Sequence, residues 1–160
     1  MSNTGITIYT DGASRGNPGP GGYGAILMYG DKRKELSAGY RKTTNNRMEL
    51  MGVIAALEAL KKPGLNLTVY TDSQYIVKAL NEGWLNNWLA TNFAKGKKNK
   101  DLWVRFYNLY KQHHVKFVWV KGHANNPFNN RCDELATAAA DGRDLLVDDG
   151  YEMDINNLSL

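Results

Sequence analysis

At 160 residues, with 42% hydrophobic and 22% charged side chains, the chain has the size and composition of one globular domain with a real core. No apolar run approaches the roughly 18 to 20 residues of a membrane span, and Met1-Ser2-Asn3-Thr4-Gly5 lacks a signal-peptide pattern, so a cytoplasmic protein is expected. Cys132 is the only cysteine, which excludes an internal disulfide, and the three histidines show no zinc-ligand spacing. The formal charge of +4 divides unevenly: residues 1–140 hold 19 Lys+Arg against 10 Asp+Glu (+9), and residues 141–160 hold 1 against 6 (−5). A body this basic suggests a polyanionic partner.

Along the chain, Ile6 to Thr10 alternates as a half-buried strand, Tyr23 to Tyr29 does the same, and Glu35 to Tyr40 completes an antiparallel meander. Between the first two, Gly19-Pro20-Gly21-Gly22-Tyr23-Gly24 matches a G-x-G-x-x-G pattern. That fingerprint must open a helix, whereas a strand follows here, so a hairpin connection with positive φ is expected instead of a dinucleotide site. Leu50, Val53, Ile54, Leu57 and Leu60 mark a helix over Thr43 to Lys61, stopped by Pro63-Gly64. A strand over Leu65 to Thr71, helices over Ser73 to Asn81 and Lys100 to Lys111, a strand over Val115 to Val120 and a helix over Phe128 to Ala140 follow. Strands alternating with helices after a meander predict a mixed α/β sheet. From Asp141 periodicity fails and acids accumulate, so residues 141–160 are expected to form a loosely held acidic tail on a 1–140 domain.

The first and fourth strands end alike, in Tyr9-Thr10-Asp11 and Tyr70-Thr71-Asp72. Reacting groups in open α/β sheets gather beyond the carboxyl ends of strands, so these two carboxylates can face one point. Glu49 and Asp133, on predicted helices, are further candidates. Each acid alone also has a structural use: Asn46-x-x-Glu49 fits a capping box, Asp72 can cap the helix after it, and Asp133 can sit in a first helical turn. Glu49, however, shares a helical stripe with Val53 and Leu60 and so points toward the sheet, and Asp133 is at helical spacing from Ala136 and Ala140. Converging carboxylates repel, and a hard cation is the usual remedy.

Four motifs, in order and spacing, resemble bacterial type 1 ribonuclease H: Thr10-Asp11-Gly12 with Gly16-Asn17-Pro18-Gly19, Thr43 through Leu50, Thr71-Asp72-Ser73-Gln74-Tyr75, and Val120-Lys121-Gly122-His123 with Asn129 and Cys132-Asp133-Glu134-Leu135-Ala136. The resemblance covers about residues 5 to 140 and implies a five-stranded mixed sheet flanked by helices. It implies hydrolysis of the RNA strand of RNA/DNA hybrids with two Mg²⁺ ions, or Mn²⁺ in their place, leaving 5′-phosphate and 3′-hydroxyl ends. Asp11 would then bridge the ions, with Glu49 and Asp72 on one and Asp133 on the other, while His123 shuttles a proton or assists product release. Asn17, Asn45 and Gln74 resemble readers of the RNA 2′-hydroxyl, a task suited to amides that both donate and accept.

Residues matching Trp84, Thr44 and Asn99 hold the DNA strand in the family. Lys42 supplies charge beside them, as do Lys95, Lys97 and Lys98 in a stretch with no acid between Gly83 and Lys100. Trp84 and Trp88 can equally dock on the core as a helical pair. Three departures stand out: Leu89-Ala90-Thr91 where relatives carry Lys or Arg, Lys42 where Arg is common, and Asn130 where Glu is common. Nothing resembling a separate hybrid-binding domain precedes Ile6, so the minimal bacterial form, acting as a monomer without an organic cofactor, is expected. A non-catalytic binding module of the same fold would not need the full carboxylate set. An integrase-like relative would not need the 2′-hydroxyl readers.

Overall fold

The structure, a computed structural model, describes residues 5–94, 98–121 and 125–153. Strands β1 (Gly5–Ser14), β2 (Gly19–Tyr29) and β3 (Lys32–Thr43) form the antiparallel meander. β4 (Asn66–Thr71) pairs parallel with β1, and β5 (His114–Trp119) parallel with β4, which gives the sheet order β3-β2-β1-β4-β5. Helices α1 (Asn45–Glu58), α2 (Gln74–Asn81), α3 (Trp84–Ala90), α4 (Lys100–Tyr110), α5 (Pro127–Ala140) and the short α6 (Asp149–Glu152) complete the order. The five-stranded mixed sheet expected from sequence is present. No described helix is long and apolar enough to cross a membrane.

Period-two alternation divides the sheet's side chains between two apolar layers. Ile8, Leu67 and Val69 face α1 and α4, where Val53, Ile54, Leu57, Trp103 and Phe106 are buried with them. Tyr9 and Ile26 face the opposite way and pack with Cys132 of α5. Helix α5 lies unusually close to this second face. A Cβ on Gly24 would collide with the Cys132 carbonyl oxygen, and one on Gly39 with the Ala139 carbonyl oxygen. The glycines of Gly19 to Gly24 therefore differ from the expected positive-φ hairpin: they lie within β2, and at Gly22 and Gly24 the missing side chain makes room for the helix.

Two elements depart from the sequence reading. α1 ends at Glu58 rather than Lys61, because the chain tightens there into a turn in which Leu60 N–H donates to the Leu57 carbonyl at 3.2 Å. α3 is too short at seven residues to reveal itself by periodicity.

The larger correction concerns the acidic tail. Residues 141–153 are docked rather than loosely held: Leu146 bridges to Tyr40 alongside β3, with Arg41 N–H donating to the Leu146 carbonyl at 2.9 Å and Leu146 N–H to the Gly39 carbonyl at 2.8 Å. Its acids meet the basic body in pairs, Asp141 with Arg15, Asp148 with Arg47 and Glu152 with Arg41. Hydrophobic periodicity cannot register a segment anchored by backbone bonds and charge. Residues 154–160 lie outside the described residues.

Candidate active site

Parallel pairing of β1 with β4 stops at Tyr9 opposite Tyr70, whose rings stack at 4.6 Å and 10°. Two residues further along each chain segment stand Asp11, still within β1, and Asp72, just past the end of β4, at matched positions beyond the parallel ladder. β1 itself continues, with Asp11 opposite Gly24 of β2, so Asp11 is held inside an antiparallel pair and not at a free strand exit. Glu49 enters from α1. The backbone N–H of Gly12 donates to Asp11 Oδ1 at 2.9 Å and to Glu49 Oε1 at 2.6 Å, joining the two carboxylates to one donor. A Cβ on Gly12 would collide with the backbone of Met48 and Glu49, so glycine is what lets α1 bring Glu49 down onto β1.

Carboxylate oxygens of Asp11, Glu49 and Asp72 lie within 4.8 Å of one another, and Asp11 and Glu49 are buried. Burial, then the carboxylates of Glu49 and Asp72, push the Asp11 carboxyl up to about 10. Burial and Asp72 push Glu49 up to about 7. The two titrate as a pair, holding protons well above the usual carboxylate range. Around them is an open cleft of ≈ 430 Å³ lined by Asp11, Gly12, Asn45, Asn46, Glu49, Asp72, Ser73, Gln74, Tyr75 and Asp133, with no Lys, Arg or His among these residues. Hard oxygen donors crowded into one cleft, with no cationic side chain among the described residues that line it, fit a divalent metal such as Mg²⁺.

Asp133 lines this cleft from α5 but is exposed and stands outside the group of three. The structural uses open to these acids are filled by other residues. Thr44 caps α1, accepting from Arg47 N–H at 3.3 Å. Ser73 caps α2, accepting from Ile76 N–H at 3.3 Å. Asn126 caps α5, which puts Asp133 at the seventh residue of the helix, past its first turn.

Of the other candidates, Asn45 and Gln74 line the cleft, and the Asn17 side chain accepts from Asn45 N–H at 3.0 Å, tying the loop after β1 to the start of α1. Asn99 precedes α4 in the left-handed region at φ 65°, its amide oxygen accepting from Arg47 Nη1 at 3.3 Å and its amide nitrogen donating to the Tyr75 hydroxyl at 3.1 Å. The tryptophan pair splits its roles. Trp88 packs on Trp103 at 5.6 Å, while Trp84, at the start of α3, stays 40% exposed. Lys42 and Lys98 are exposed; Lys95, Lys97 and His123 lie outside the described residues. Sequence reasoning missed Trp119, whose ring N–H donates to the Asp72 carbonyl at 3.3 Å, and Arg47, buried beside the cleft. In the sequence Arg47 stands out only by its place inside the Thr43-to-Leu50 motif.

A model of the RNase H family matches residues 3–141. The chain belongs to the ribonuclease H family. It is 53% identical over 150 residues to the ribonuclease H of Syntrophus aciditrophicus, covering 91% of this chain and 86% of that one. Among solved structures it resembles LC9-RNase H1, a type 1 RNase H with the type 2 active-site motif, at TM-score 0.79 and 28% identity over 98% of this chain and 84% of that one. It also resembles LC11-RNase H1 in complex with RNA/DNA hybrid, at TM-score 0.63 and 29% identity over 85% of this chain and 96% of that one.

For this ribonuclease H the tight seat at Gly12 gives a first expectation. Gly12→Ala should destabilise the fold by about 1 to 3 kcal/mol, the usual cost of overpacking, and lower activity by more than about tenfold, since Glu49 can no longer approach. Urea unfolding and hydrolysis rates check both. A variant of normal stability and rate would remove Gly12 from the account.

Proposed function

We propose that this ribonuclease H hydrolyses the RNA strand of RNA/DNA hybrids with two Mg²⁺ ions, for which Mn²⁺ can substitute, leaving 5′-phosphate and 3′-hydroxyl ends. The observation that carries this reading is the shared cleft: amides suited to the 2′-hydroxyl, Asn45 and Gln74, line the same cavity as the buried carboxylates. Hydrolysis breaks the bond between phosphorus and the 3′-oxygen, puts the water oxygen on the 5′-phosphate and returns a proton to the 3′-oxygen. Bound Mg²⁺ would stabilise charge on the phosphate and supply a more acidic water at neutral pH.

The residues divide the remaining work. Asp11, Glu49, Asp72 and Asp133 would hold the ions, a role supported by the carboxylate oxygens of the first three lying within 4.8 Å of one another. His123, which follows β5 in sequence, moves a proton or frees the product. Asn17 holds the start of α1 through Asn45 and, with Asn45 and Gln74, selects the RNA strand. Thr44, Asn99, Lys42 and the half-exposed Trp84 receive the DNA strand, together with Lys95, Lys97 and Lys98. The enzyme works as a cytoplasmic monomer without an organic cofactor.

Selection by the amides has a direct test. Asn45→Ala and Gln74→Ala should each lower cleavage of the hybrid by about 3- to 10-fold, the scale of one lost hydrogen bond, while salt-dependent binding to a DNA duplex stays the same. Binding titrations on both duplexes beside hybrid cleavage make the comparison. Equal losses on both would mean that these side chains support the fold instead.

A further inference from the structure

Arg47 is buried, 3% exposed, and all five of its N–H donors are engaged. Nε and Nη2 donate to Asp148 at 2.8 and 2.9 Å, Nη1 and Nη2 to Asp101 at 2.8 and 2.6 Å, and Nη1 to the amide oxygen of Asn99 at 3.3 Å. Asp148 comes from the C-terminal segment and is itself buried. It also accepts from the Thr43 hydroxyl at 2.6 Å, next in sequence to Thr44. The segment passes so near that a Cβ on Gly150 would collide with the Asp101 carboxylate. On the far side of Asn99, the Tyr75 hydroxyl takes the amide N–H at 3.1 Å and the Trp103 ring N–H at 2.8 Å, and Tyr75 lines the catalytic cleft.

This arrangement decides which end of the Asn99 amide is presented outward. With its oxygen turned to Arg47 and one N–H given to Tyr75, the amide keeps a second N–H for a phosphate oxygen. A flipped amide would present its carbonyl and repel the phosphate. Asn99 also holds an uncommon left-handed backbone, which asparagine tolerates and which these bonds on both ends of its side chain fix in place.

We propose that Asp148 is a positioning residue for substrate binding: through Arg47, the docked C-terminal segment presets Asn99 to receive, beside Thr44, a phosphate of the DNA strand. The inference rests on reading Asn99 and Thr44 as phosphate-binding residues. It extends the binding apparatus to a segment outside the residues matched by the family model, which end at 141.

A double-mutant cycle on the full chain separates the two claims. Hybrid binding is titrated without divalent metal for wild type, Asp148→Ala, Asn99→Ala and the double variant, and KM and kcat are measured with Mg²⁺ well below each melting temperature. Asp148→Ala should weaken hybrid binding and raise KM by about 3- to 10-fold, the scale of one lost oriented hydrogen bond, with the loss falling on KM rather than kcat. In the Asn99→Ala background the same substitution should add less than about twofold, the limit of ordinary additivity. Additive losses, or a loss in kcat with KM unchanged, would overturn the positioning role while leaving the phosphate site intact. Unweakened hybrid binding by Asn99→Ala would overturn the phosphate-site reading itself. Should Asp148→Ala fail to fold, Asp148→Asn, which keeps the volume and the Thr43 contact, carries the same cycle.

Discussion

Asp11→Asn is expected to abolish hydrolysis, by at least about 10³-fold in kcat, while hybrid binding survives. The size follows from removing a preorganised charge on which the chemistry depends. An amide at this position keeps the shape of the side chain and the bond from Gly12 N–H but loses the charge that a cation site among Asp11, Glu49 and Asp72 requires. Binding should persist because none of the groups proposed to grip the duplex is among the carboxylates proposed to hold the ions. Single-turnover hydrolysis with saturating Mg²⁺, together with hybrid titration, measures both. Substantial Mg²⁺-dependent cleavage by the folded variant would sink the carboxylate assignment.

The same substitution should have the opposite effect on stability, and the effect should depend on pH. In the metal-free protein Asp11 is pushed up to about 10 by burial and by Glu49 and Asp72, and Glu49 up to about 7 by burial and Asp72, against ordinary values of 3.8 and 4.5. Between the ordinary and the raised values the folded state binds more protons than the unfolded state. Stability from this cluster is thus fully present below about pH 4 and is lost as pH rises through the raised values. At pH 5 Asp11 is neutral in the folded wild type and already ionised when unfolded, so the wild type should melt only slightly below Asp11→Asn. At pH 9 the variant should melt several degrees higher, since about 1 kcal/mol moves a domain of this size by ~2–4 °C. Millimolar Mg²⁺ should raise the wild-type melting temperature more at pH 9 than at pH 5, because the ion displaces protons, and should narrow the gap to the variant. A gap between the two proteins that does not vary with pH would show that the cluster is not strained by its own charge.

The sequence carried the sheet because alternation and helical spacing record burial directly: Ile8 and Val69, or Val53 and Leu57, appear in the pattern because the core needs them. It placed Asp11 and Asp72 together because parallel strands in register bring identical offsets side by side. Three features escaped it, each for a physical reason. Gly22, Gly24 and Gly39 reflect contact with a helix that lies about 100 residues later in the chain, so local turn rules misassigned the first two. The tail from Asp141 docks by backbone bonds and ion pairs, which leave no apolar period. Arg47 reads as an ordinary helical arginine until Asp101 and Asp148, remote in sequence, close around it.

The most direct measurement follows the two strands of one hybrid separately, with the RNA strand labelled in one sample and the DNA strand in the other, each incubated with Mg²⁺ and with chelator, beside matched RNA and DNA duplexes. The account predicts fragments from the RNA strand of the hybrid alone, with 5′-phosphate and 3′-hydroxyl ends and only when Mg²⁺ is present. Cleavage of the DNA strand, equal cleavage of the RNA duplex, or undiminished cleavage in chelator would contradict it.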